Sequence, residues 1–80
     1  MTDRAKLIYD DLIARYKRAS ISKAEMANEL GVTVYSIDKY MANGLGVPPY
    51  KKLGKAKNAK VVFNIIDVAE FLADTIKVVA

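Results

Sequence analysis

The chain contains no cysteine and no histidine among its 80 residues. Without a thiol or an imidazole, zinc sites of the Cys/His type are excluded, and so are Ser-His-Asp and Cys-His catalysis. No disulfide can staple the fold, which fits a reducing compartment. Long apolar runs are missing too: no stretch reaches the ~20 residues that span a bilayer, so no membrane partner is expected. The start, Met1-Thr2-Asp3-Arg4-Ala5-Lys6, lacks the apolar stretch and cleavage site of an export signal, which makes a cytoplasmic location the expectation. Phosphate loops fail as well. Gly54-Lys55 looks like the end of a P-loop, but Pro49 stands at its first glycine and Ala56 at its hydroxyl; Pro49 also breaks the dinucleotide pattern begun by Gly44 and Gly46. With no paired carboxylates in an evident pocket, neither enzymatic activity nor a cofactor is expected.

What is present is one domain's worth of chain, residues 1–80, with 52% hydrophobic residues. A domain this small buries roughly two thirds of its unfolded surface, so its stability margin is thin. The net charge is +4, and its distribution is uneven. Lys51, Lys52, Lys55, Lys57 and Lys60 lie between Gly44 and Ile66 with no acid among them; removing these five charges leaves −1 for everything else. One basic segment in an otherwise balanced chain has the character of a phosphate-facing element, or of a solubilising loop.

Periodicity predicts a helix over residues 2–18, whose Ala5, Ile8, Tyr9, Leu12, Ile13 and Tyr16 share one face and whose start Thr2 or Asp3 can cap. Leu7 falls off this stripe. Lys17 and Arg18 suit the negative end of the helix dipole. Ala19-Ser20-Ile21 reads as a short connection. Ser22-Lys23-Ala24-Glu25 is a capping box that opens a helix running to Leu30 and stopping at Gly31. A third helix follows Thr33, a plausible N-cap, and ends at Asn43-Gly44. Pro48-Pro49 then forces an extended path. Tyr50–Leu53 and Val61–Ile65 read as strands around a lysine-rich loop, the second apolar enough to pack on the helices. Asp67 is expected to cap a last helix over residues 67–76, with Val68, Phe71, Leu72 and Ile76 on its apolar face. The β-branched tail Thr75–Val79 could extend that helix or form a strand.

The expected fold class is therefore mainly α with a small β-hairpin. Within it, residues 22–43 meet the packing demands of two helices braced around a tight turn: Met26, Ala27, Leu30, Gly31, Val32, Ile37 and Tyr40 fall in order, within fifteen residues. Together with the hairpin of residues 44–66, with Val61-Val62-Phe63, and with Asp67 and Phe71-Leu72, this stretch resembles the winged helix-turn-helix of the excisionase and MerR-like superfamily, particularly small excisionase and AlpA-type regulators. The likeness covers about fifty residues, Ser22 to Leu72. Three features depart from the pattern: Asp38 stands where a basic residue is common, Leu45-Gly46-Val47 lengthens the approach to Pro48, and the N-terminal helix is an addition.

The resemblance implies duplex DNA binding, with the third helix in the major groove. Its outward positions are Thr33, Val34, Tyr35, Ser36, Lys39 and Asn43, and the preceding helix adds Ser22 and Lys23. The wing contributes Lys51, Lys52, Lys55, Lys57, Asn58 and Lys60 to the backbone or minor groove. Lys51 and Lys52 alternate across a strand, so one of the two is expected to reach DNA. Tyr50 and Phe63 are expected in the core, as are Tyr9 and Tyr16. Asp38 either meets DNA or pairs with a lysine. The partners implied are double-stranded DNA, a homodimer or array on it, and an integrase or another regulator. The role would be that of a transcriptional regulator or a recombination directionality factor; the alternative is a winged helix that docks a partner protein. The apolar stripe of the first helix needs a cover, either the chain's own core or a second copy.

Overall fold

The computed structural model describes residues 1–55 and 59–74. Helix α1 (Asp3–Tyr16) starts where the Thr2 hydroxyl accepts a hydrogen bond from the Ala5 N–H at 3.1 Å. It ends two residues earlier than expected. Lys17 adopts a left-handed backbone with φ 54°, and its N–H closes onto the Ile13 carbonyl at 2.8 Å, so Arg18 leaves the helix. The chain then enters a strand, β1 (Ser20–Ser22), where only a connection was expected.

Ser22 ends β1 and caps α2 (Lys23–Leu30) at the same time. Its hydroxyl accepts from the Glu25 N–H while the Glu25 carboxylate accepts from the Ser22 N–H, completing the capping box. Helix α3 (Val34–Asn43) follows after three residues. Both helices stop in the same way. Gly31 and Gly44 take φ of 69° and 70°, and the next residue donates back across the last turn: Val32 to the Ala27 carbonyl and Leu45 to Tyr40.

The hairpin strands are β2 (Lys51–Lys52) and β3 (Val61–Asn64). They join β1 in a three-stranded antiparallel sheet of order β1-β3-β2, so the expected hairpin is two thirds of a sheet. Ile21 stands opposite Phe63, and both are fully buried. The fourth helix, α4 (Ile65–Ala73), begins directly after β3. Asn64 occupies its N-cap position without a side-chain hydrogen bond, and Asp67 lies in the first turn instead of capping it. Ile65 is thus helical, and its N–H extends the sheet by one bond to the Ala19 carbonyl at 2.8 Å. The expectations for Ile76 and the Thr75–Val79 tail fall outside the described residues.

The core joins all layers: Leu12 from α1, Ile21, Met26, Ala27, Ile37, Val61, Phe63, and Ile65, Val68 and Ala69 from α4. α1 packs against α4, with Leu12 fully buried and Ala5 nearly so, and Ile8, Tyr9, Ile13 and Tyr16 half-buried around them. The centre of the stripe, Ala5 and Leu12, is covered by the chain itself. Leu7, off the stripe, is 73% exposed. Tyr50 departs from expectation: it lies 5.9 Å from the Phe63 ring but remains 44% exposed, because it precedes an edge strand and only its inner side meets the core.

Candidate nucleic-acid interface

The side chains expected to contact DNA come from α2, α3 and the β2–β3 hairpin. On α3, Ile37 is fully buried and Tyr40 half-buried, which turns Val34, Tyr35, Lys39 and Asn43 outward. Tyr35 is 67% exposed, and the Lys39 ammonium sits 4.9 Å from the centroid of its ring. Thr33 and Ser36 are engaged locally. The Thr33 hydroxyl accepts from the Ser36 N–H and donates to the Ser36 hydroxyl, each at 3.1 Å.

On α2, Ser22 is committed to its capping box, and Lys23 is half-buried with its Nζ 2.6 Å from Asp38 Oδ1. Of the two roles expected for Asp38, the structure shows the lysine pairing: its carboxylate meets a lysine fifteen residues back in sequence. Lys51 and Lys52 are both exposed, because β2 is an edge strand left uncovered at both positions. Lys55 and Lys60 are exposed as well. Lys57 and Asn58 lie outside the described residues.

Arg18 belongs to this surface although the sequence placed it at a helix end. A groove of about 190 Å³ is lined by Arg18, Ser20, Ser22, Glu25 and Lys60, bringing the base of the hairpin beside the start of α2. Arg18 donates from Nε to the Ser20 carbonyl at 3.0 Å and also pairs with Glu25. With Glu25 bonded to the Ser22 N–H, this ion pair occupies polar groups along the outer edge of β1, a place where unpaired strands invite association. No local sequence signal announces it, since the partners meet only once β1 has formed.

A second ion-pair cluster ties α1 to α2. Arg15 grips Glu29 with two bonds of 2.8 Å and Asp11 with one of 2.9 Å, while the Tyr16 hydroxyl donates to Glu29. The Arg15 guanidinium holds the Glu29 carboxyl below the usual carboxylate range, and Arg18 with the Ser22 N–H does the same for Glu25. Burial, reinforced by the bond to Glu29, pushes the Tyr16 hydroxyl up.

These pairs sort the charges. Between Ser20 and Asn64 the carboxylates are Glu25, Glu29 and Asp38, and each is ion-paired. Lys39, Lys51, Lys52, Lys55 and Lys60 make no ion pair among the described residues. The carboxylates without ion pairs there are Asp3 and Asp10 on α1, Asp67 and Glu70 on α4, and Asp74 just after it, where the unpaired cations Arg4, Lys6 and Lys17 of the α1 segment offset part of their charge. Among the described residues, no cluster of His, Cys, Asp or Glu could hold a metal ion, and no helix is long and apolar enough to cross a membrane. Comparison with known protein families, with curated proteins and with solved structures returns no match.

Proposed function

We propose that this chain binds duplex DNA in the cytoplasm, with α3 in the major groove and the lysine-rich β2–β3 hairpin on the backbone or minor groove. The role is that of a transcriptional regulator or a recombination directionality factor. The observation that supports this reading is the charge sorting: every acid of α2 and α3 is ion-paired within the molecule, whereas Lys39 and the described hairpin lysines make no ion pair among the described residues. A ten-residue α3 is about 15 Å long and suits the ~12 Å major groove. Its outward face mixes an aromatic ring, an ammonium and an amide, the groups that read base edges.

Anisotropy of a labelled duplex, titrated across salt concentrations, tests this. Neutralising about four to six phosphates gives a slope of log affinity against log salt near −4 to −5. Replacing Lys55, Lys57 and Lys60 together by alanine flattens that slope. A wild-type chain that binds no duplex, or a triple variant with unchanged slope, overturns the assignment. Footprinting separates the two roles: a regulator protects one operator, a directionality factor several adjacent sites with bent DNA between them.

The competing reading, docking of a protein partner, is favoured by one feature. A mostly apolar groove of about 650 Å³ lies between α1 and the start of α4, lined by Tyr9, Ile13, Ala19, Ile65 and half-exposed Ile66. It predicts that the lysines only solubilise and that duplex DNA is ignored.

A further inference from the structure

We infer that Lys39 is the residue by which α3 selects a guanine, and that Tyr35 is the positioning residue that holds its ammonium for that contact. The inference rests on the DNA-binding reading and narrows it to one pair of side chains.

Elimination comes first. Of the polar groups on the outward side of α3, the Thr33 hydroxyl is used in both directions, accepting from the Ser36 N–H and donating to the Ser36 hydroxyl, which keeps its own proton. Asp38, which would repel phosphate, is held by Lys23. Val34 has no polar atom. Tyr35, Ser36, Lys39 and Asn43 remain, and only Lys39 carries charge and a side chain long enough to reach back over the Tyr35 ring.

Geometry comes second. Tyr35 and Lys39 are four residues apart, so they are neighbours on one helical face. Long helical side chains lean toward the N-terminus, so Lys39 reaches back over the Tyr35 ring, and its ammonium is found 4.9 Å from the ring centroid. That carries the charge toward the N-terminal part of α3, the part of a recognition helix that meets base edges. A free lysine wanders over many rotamers, which suffices for a diffuse phosphate field. A base contact needs the ammonium at one place, facing the paired O6 and N7 acceptors of guanine. The ring supplies that restraint. It is itself 67% exposed, so the core gains little from it.

Two measurements test the pair. In the free protein, the ring current of Tyr35 shifts the Lys39 ε-methylene protons upfield in the NMR spectrum. The shift persists in Tyr35→Phe and vanishes in Tyr35→Leu; a wild-type spectrum without it overturns the positioning role. In selections from randomised duplexes, the wild type and Tyr35→Phe prefer guanine at one position by roughly tenfold or more. Lys39→Ala abolishes that preference, and Tyr35→Leu weakens it severalfold, with the salt slope unchanged in each. A Lys39→Ala variant that keeps its preference but loses about 0.9 from the salt slope makes Lys39 a phosphate contact and sinks this inference alone. A wild type that binds no duplex removes the DNA reading and the guanine contact with it.

Discussion

Truncating Leu12 to alanine tests whether α1 belongs to the fold or to an interface between copies. Leu12 is fully buried in the layer between α1 and α4, in contact with a core that includes Ile65, Val68 and Ala69. Removing a buried leucine side chain costs the lost transfer free energy and the cavity left behind, together about 3 kcal/mol and up to 5. At 0.05–0.15 kcal/mol per residue, an 80-residue domain has only about 4–12 kcal/mol in total. One side chain thus carries a large share of the stability. A loss of about 3 kcal/mol lowers the melting temperature by roughly 12–24 °C for a domain of this size. Leu7→Ala on the same helix, at a 73% exposed position, is the control and stays within about 0.5 kcal/mol of wild type. Urea unfolding followed by circular dichroism, at two protein concentrations a hundredfold apart, reads both effects. A wild-type midpoint that climbs with concentration would mean that a second copy covers the stripe. A Leu12→Ala loss below about 1 kcal/mol would refute the intrachain packing directly.

Three further outcomes follow from particular contacts. Ser22→Ala removes the hydroxyl half of the capping box and lowers stability by about 0.5–2 kcal/mol in the same urea assay. Gly46 has φ 83°, and a Cβ there would lie 3.0 Å from the Tyr40 ring, so Gly46→Ala costs about 1–3 kcal/mol; a stabilised variant would contradict the turn. Glu25 and Glu29 both titrate below the ordinary value of 4.5, so their pairs stabilise the fold at neutral pH and the contribution is lost as pH falls below 4.5 through the lowered values. Glu29→Gln therefore unfolds more easily than wild type at neutral pH, and the gap closes in acid; a gap that stays constant would remove Arg15 as the cause.

Local chemistry made much of the fold legible. Capping boxes, C-terminal glycines and the 3.6-residue stripe of α1 act within one or two turns, so Ser22, Gly31, Thr33 and Gly44 announce the helix boundaries of α2 and α3. What stayed hidden depends on residues far apart in sequence. β1 is three residues long and shares Ser22 with a helix cap, so it exists only because β3 offers it a partner. The start of α4 was misjudged for a related reason. Asp67 is the better capping residue, but the sheet delivers the chain into the helix at Asn64 with no loop between, and the favourable carboxylate falls in the first turn. On the candidate interface, the exposed face of α3 followed from helical spacing once Ile37 and Tyr40 were turned inward. The pairing of Lys23 with Asp38 could not be chosen from spacing alone, and Arg18 gave no sign of standing beside Lys60.

Those hidden pairs bear on how the charge of this protein acts. A net +4 spread over the chain would attract a polyanion weakly from every side. Fields from exposed charges fade over about 8 Å at physiological ionic strength, so a partner responds to the charges beside it and not to the total. Across α2, α3 and the hairpin those charges are set by tertiary contacts. Lys23 offsets Asp38, Arg18 offsets Glu25, and Arg15 is shared between Glu29 and Asp11, while Lys39, Lys51, Lys52, Lys55 and Lys60 make no ion pair among the described residues. The sequence departure at Asp38 therefore does not place a bare carboxylate on the outward face. It places half of an ion pair there, which also links the start of α2 to the middle of α3. Asp38→Asn separates these two effects, because it frees Lys23 while loosening that link. If charge governs, the variant binds duplex DNA more tightly at low salt, with a salt slope steeper by about 0.9 for the added phosphate contact. If the link governs, affinity falls at every salt concentration and the slope is unchanged.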